Sequence, residues 1–162
     1  MKKTAFLLLG TNLGDRKKNL SVARNTIDVE VGTIIKASSI YQTAAWGKTD
    51  QPDFLNQALK VETTLSPNRI LEKILKIEQG MGRRRDEKWG ERIIDIDILL
   101  YEKEIVHSLR LTLPHPQLQH RRFALEPLAE IAGTEIHPTL ALTVRAMLEQ
   151  CADTLKVSRT WE

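Results

Sequence analysis

Asp95 and Asp97 stand two residues apart in the run IIDIDILLY (residues 93–101), where each is flanked by isoleucine. A strand alternates its side chains between faces, so both carboxylates point the same way, with Cα atoms roughly 6–7 Å apart. Two like charges so placed repel, and they resist burial unless a cation joins them. A protein arginine or a metal ion could serve. Oxygen donors with no thiol or imidazole beside them suit magnesium better than zinc. Magnesium points in turn to phosphate, because one or two carboxylates hold it while substrate oxygens complete its octahedron. A salt bridge to Arg92 is the plainer alternative.

The segment RRRDEKWGER (83–92) leads directly into that strand. Arg83, Arg84, Arg85, Lys88 and Arg92 outweigh Asp86, Glu87 and Glu91, and arginine forks match phosphate oxygens. Trp89 among them could cover a ligand or stack on a base. A second basic stretch, PHPQLQHRRF (114–123), places His115 between two prolines that stiffen its backbone, with Arg121 and Arg122 close behind. The remaining candidate, AAWGKTDQPDFLN (44–56), carries Trp46, Phe54 and Asn56, the makings of a sandwich for a flat ring with an amide at its edge. Each alone also reads as an ordinary surface loop. No GxxxxGK[ST] or GxGxxG occurs, and GTNLGD (10–15) reads as a turn. Any nucleotide phosphates must therefore be held by arginines and metal.

The elements that would position these groups follow from pattern. With 162 residues, 41% of them hydrophobic and 28% charged, the chain suits one soluble domain spanning 1–162. A net charge of +3 fits an anionic small molecule without demanding nucleic acid. One cysteine, Cys151, excludes an internal disulfide and a cysteine-rich zinc site, and a reducing cytoplasm is the expected location. The apolar run at 5–9 is too short for a signal peptide or a membrane span and predicts a buried strand over 4–9.

A helix capped by Asp15 follows, then strands over 33–43 and 55–64. The clearest helix has Ser66 as its cap, Pro67 at its first position and Gly80 just past its end. The Asp-bearing strand comes next. Helices over 123–132 and 143–150 and a short terminal segment complete the chain. The order β-α-β-β-α-β predicts an α+β sandwich of ferredoxin-like type: an antiparallel sheet, helices on one face and extra helices at the C-terminus.

Together, LGTNLGD, QPDFLN, GRRRDEKWGERIIDIDILLY and PHPQLQHRRFALEPLAEIA resemble, in order and over nearly the whole chain, the 6-hydroxymethyl-7,8-dihydropterin pyrophosphokinases of folate biosynthesis. The resemblance implies transfer of pyrophosphate from ATP to the pterin hydroxymethyl group, releasing AMP. It implies that Asp95 and Asp97 hold two magnesium ions, with Arg83 and Arg92 acting near the phosphates. Arg85 and Trp89 match a loop that closes over the site. Arg110, Thr112, His115 and Arg121 match ATP contacts, and Ile98 a position near the adenine. Thr43, Ala44, Ala45, Trp46, Phe54, Asn56 and Phe123, with Asp95, match the pterin pocket. A monomer in the cytoplasm, with no nucleic-acid or membrane partner, is the expected state. Two departures stand out: Ala44-Ala45 replaces a stretch that usually contains proline, and Leu75 replaces a residue that is polar in some members.

Two other readings share parts of this pattern. An RNA-binding ferredoxin-like module would use the basic loop and Trp89, but the sheet lacks the paired aromatics such modules stack on, and the aspartates would repel phosphates. A nucleotide-sugar transferase would use the DxD metal site with no dependence on pterin.

Overall fold

The protein's structure, a computed structural model, describes residues 1–44, 52–82 and 93–160. Its elements are β1 (Lys3–Thr11), α1 (Arg16–Glu30), β2 (Thr33–Ala37), β3 (Tyr41–Thr43), β4 (Phe54–Thr63), α2 (Pro67–Gly80), β5 (Asp95–Tyr101), β6 (Val106–His107), β7 (Thr112–Leu113), α3 (Arg122–Ala132), α4 (Val144–Gln150) and β8 (Val157–Arg159). The main sheet runs β5-β1-β4-β3-β8, with β2 also paired to β4, and every pairing in it among the described residues is antiparallel.

The expected βαββαβ core is present, and the order of its strands follows from burial. β1 is apolar on both faces, so it takes the middle of the sheet. Ala5, Leu7 and Leu9 enter one core with Leu20, Ala23 and Ile27 of α1 and Ile70, Ile74 and Ile77 of α2. Phe6 and Leu8 enter a second core with Ala124, Leu125 and Leu128 of α3 and Val144 and Met147 of α4. Helices therefore cover both faces, not one: the C-terminal pair packs on the face that α1 and α2 leave open. Each fully buried leucine or isoleucine contributes about 1.5–3 kcal/mol relative to exposure, so neither face is stable uncovered.

Local signals set the ends. Asp15 and Ser66 accept the N–H groups of Lys18 (3.1 Å) and Arg69 (3.3 Å), capping α1 and α2, and Pro67 begins α2 as expected. The single strand expected over 33–43 is instead two, β2 and β3, both paired to β4. Ser38 causes the break: its hydroxyl accepts the Ala58 N–H at 2.9 Å, and its carbonyl accepts the Gln57 side-chain amide at 2.7 Å. A serine that competes for ladder hydrogen bonds interrupts the strand without leaving β4 unsatisfied. The small β6–β7 hairpin was not legible in advance; it is two residues long on each side.

Candidate active site

Strand register assembles the site. Gly10 of β1 lies opposite Asn56 of β4 on one side and Asp95 of β5 on the other, while Tyr41 of β3 lies opposite Asn56. One row thus reads Tyr41, Asn56, Gly10, Asp95. The next row is Ala58, Leu8, Asp97. Directly opposed residues share a face, and Leu8 packs in the core beneath α3, so both aspartates face the α3 side. Phe54 and Thr43, opposite each other, share that face too. Asn56 and Asp95 stand two strand spacings apart, about 10 Å.

Asp95 and Asp97 are half-buried, whereas Ile94, Ile96 and Ile98 between and beside them are buried on the opposite face. At the sheet edge, Asp95 and Asp97 border a cleft of about 310 Å³ lined also by Leu71, Leu75 and Glu78 of α2 and by Arg110 from the β6–β7 turn. Sequence reasoning missed Glu78. It is 3% exposed, and its carboxylate accepts the N–H of Ile96 at 2.9 Å, closing the outer edge of β5 between the aspartates. A signal was available, because Glu78 lies four residues from Ile74 on the apolar stripe of α2. Leu75, the apolar replacement noted above, does line this cleft. Among the described residues no group of three histidines, cysteines or carboxylates gathers as a metal cage.

Two buried polar atoms mark the other end of the row. Asn56 is 4% exposed; its amide nitrogen donates to the Leu9 carbonyl at 3.2 Å, while its oxygen has no partner. The Thr43 hydroxyl is likewise buried and unpartnered. Unsatisfied buried acceptors and hydroxyls are rare because each costs about 1–3 kcal/mol. Gly10 makes the arrangement possible: a Cβ there would come within 2.7 Å of the Asn56 amide nitrogen. The chain that leads into Phe54 is pinned from three sides. Asn12 donates to the Pro52 carbonyl (3.2 Å), Arg16 to the Asp53 carbonyl (2.8 Å) and Gln42 to the Asp53 carboxylate (2.8 Å). The turn 10–15 therefore has a structural use that its sequence did not disclose.

The second basic stretch also converges here. The His115 N–H donates to the Leu99 carbonyl of β5 at 3.0 Å, tying the loop to the Asp-bearing strand. The ring's Nδ1 accepts the Gln117 N–H at 3.1 Å, which leaves Nε2 as the protonated nitrogen of the neutral ring. Burial, helped by the nearby Arg121 charge, lowers the His115 pKa to about 4, so it is neutral at pH 7. Arg121 lies over the Phe123 ring, 5.6 Å from its centre. Thr112 is half-buried on β7. Ile98 is 5% exposed, with its side chain in the core under α1 and α2. Ala44 is exposed at the end of β3. Ala45, Trp46, Arg83, Arg85, Trp89 and Arg92 lie outside the described residues.

The arrangement offers paired carboxylates, several cations and a buried hydrogen-bonding recess on one sheet face. The sequence model of the family described as 7,8-dihydro-6-hydroxymethylpterin-pyrophosphokinase (HPPK) matches residues 6–133. A 2-amino-4-hydroxy-6-hydroxymethyldihydropteridine pyrophosphokinase of Haemophilus influenzae is 39% identical over 151 residues, covering 93% of this chain and 94% of its own. One of the same name from Methylorubrum extorquens is 45% identical over 129 residues, 79% of this chain and 82% of its own. Among solved structures, wild-type Plasmodium falciparum HPPK-DHPS with pteroate superposes with a TM-score of 0.78 at 19% identity over 93% of this chain. The present chain spans only 42% of that longer protein, and the likeness there is one of fold.

Proposed function

Because the chain belongs to the 7,8-dihydro-6-hydroxymethylpterin-pyrophosphokinase family, transferring pyrophosphate from ATP to the pterin hydroxymethyl group, we propose that Asp95 and Asp97 organise that transfer on magnesium. The observation that carries the reading is the row Asn56, Gly10, Asp95, which runs from an unpartnered amide oxygen to the carboxylate pair across about two strand spacings. A flat pterin lying over Gly10 has its ring edge at Asn56 and Thr43 and its hydroxymethyl arm at Asp95. Phe54 and Phe123 supply the aromatic walls, and Ala44, Ala45 and Trp46 add pterin contacts.

The donor set fits magnesium. Two hard carboxylates on one rigid strand, with no imidazole or thiol among the described residues lining the cleft, are the kind of donors that magnesium prefers. Asp95 and Asp97 would hold magnesium, which would supply charge neutralisation for the phosphates and make the hydroxyl more acidic. The chain's own groups do the rest. Arg110, His115 through its Nε2–H, Thr112 and Arg121 hold the nucleotide. Any part for Ile98 falls to its main chain on the strand edge, since its side chain is in the core. Arg83 and Arg92 meet charge that develops on the phosphates, with Arg85 and Trp89 between them in sequence. Leu71 and Leu75 keep that side of the cleft apolar. No helix among the described residues is long and apolar enough to cross a membrane. A cytoplasmic monomer that binds neither nucleic acid nor membrane is consistent with this reading.

The test is a product assay with ATP, magnesium and 6-hydroxymethyl-7,8-dihydropterin that resolves AMP from ADP, run beside Asp97→Ala. The expected result is AMP formed in step with pterin diphosphate only with metal, and at least a thousandfold slower turnover in a folded Asp97→Ala protein. ADP as the product, or an active but unstable Asp97→Ala variant, would overturn the assignment.

A further inference from the structure

Residues 151–160 lie beyond the stretch matched by the family's sequence model, yet they bond to both sides of the recess just assigned. At one end, the Arg122 backbone N–H donates to the Asp153 carboxylate at 3.1 Å. The Arg122 guanidinium donates to the Asp153 carbonyl at 3.0 Å and the Cys151 carbonyl at 3.1 Å. Arg122 is the first residue of α3 and stands between Arg121 and Phe123, which themselves pack cation over ring. At the other end, β8 pairs with β3 in the register Tyr41 to Arg159, Gln42 to Ser158 and Thr43 to Val157. The Thr160 N–H and hydroxyl both donate to the Ile40 carbonyl, at 2.8 and 3.0 Å. Glu130 of α3 closes the circuit. It accepts from the Tyr41 hydroxyl at 2.7 Å and the Ser39 N–H at 3.0 Å, and pairs with Arg159 at 4.0 Å.

We infer that this C-terminal strap positions the pterin pocket, setting the distance between its Phe123 wall and its Thr43 wall. The physical reason is that the rest of the fold holds each wall from one side, β3 through its pairing with β4 and α3 through its core packing. β3 is three residues long and would be a free sheet edge without β8. α3 begins without a side-chain cap, and Asp153 supplies the acceptor for the Arg122 N–H from outside the helix. A flat ligand held between the walls is sensitive to their spacing, while the nucleotide, held also by Arg110, Thr112 and His115, meets the strap through Arg121 alone. Asp153, Arg122 and the β8 backbone are thus positioning residues, and the inference rests on the pterin reading of that recess.

The test compares Asp153→Ala, Asp153→Asn and Ser158→Pro with Asn56→Ala, reading KM for pterin and for ATP separately. Asp153→Ala and Ser158→Pro should each raise the pterin KM at least fivefold and leave the ATP KM within twofold. Asp153→Asn, which keeps an acceptor oxygen for the Arg122 N–H, should return the pterin KM to within twofold of wild type. A raised pterin KM in Asn56→Ala with an unchanged ratio of the two KM values in Asp153→Ala would overturn the strap, whether or not its melting temperature falls. An unchanged pterin KM in Asn56→Ala would overturn the pocket assignment beneath it.

Discussion

Thr43→Val separates folding from binding at one atom. The change keeps the β-branched shape that suits a strand and replaces a buried, unpartnered hydroxyl with a methyl group. Burying a hydroxyl without a partner costs about 1–3 kcal/mol on protein mutational scales. Taking about 1 kcal/mol of relief, the free protein should melt about 2–4 °C higher. Binding should move the other way. If Thr43 meets a polar edge of the pterin, losing that hydrogen bond removes about 1–1.5 kcal/mol, or roughly five- to tenfold in affinity. Thermal unfolding without substrates gives the first number. Initial AMP release, with pterin varied at saturating ATP and magnesium, gives the second. A Val variant that melts lower than wild type would mean the hydroxyl is engaged in the free fold. An unchanged pterin KM would mean it does not face the ligand, and either result refutes the reasoning.

Gly10→Ala should lower stability by about 1 kcal/mol, because its Cβ would meet the buried Asn56 amide nitrogen at 2.7 Å and push it off the Leu9 carbonyl. The expected outcome is a pterin KM raised about tenfold or more with ATP kinetics preserved; intact pterin kinetics would show that Asn56 has room to retreat. His115 makes stability depend on pH. Its folded pKa of about 4 lies below the ordinary 6.5, so the unfolded chain binds more protons between those values. Stability is therefore fully present above pH 6.5 and falls as pH drops toward 4, by about 3 kcal/mol from this group. Buried His137, its pKa also lowered by burial, acts in the same direction. Urea titrations across this range should show a shallower slope for His115→Gln, and identical slopes would place the linkage elsewhere.

How far the sequence reached depended on whether a signal was local. Caps at Asp15 and Ser66, the proline that opens α2 and the apolar periods of β1 and α2 each depend on residues within a turn or two, and all were readable. The aspartate pair was readable for the same reason, since strand alternation alone puts Asp95 and Asp97 on one face. The break at Ser38 was not, because it depends on an N–H supplied by Ala58 twenty residues away. Nor was the covering of both sheet faces, which hinges on α3 and α4 folding back over Phe6 and Leu8.

Which groups could do chemistry is written in the chain: hard carboxylates on an apolar strand, arginines before it, a histidine between prolines. Tertiary structure alone decided their distances. Register across β4, β1 and β5 put Asn56, Gly10 and Asp95 in one row, and α2 folding onto the β5 edge brought Glu78 to the Ile96 N–H. Residue types and spacings are written locally, whereas register is fixed by burying two faces at once, and a slip of one residue would turn both aspartates into the opposite core.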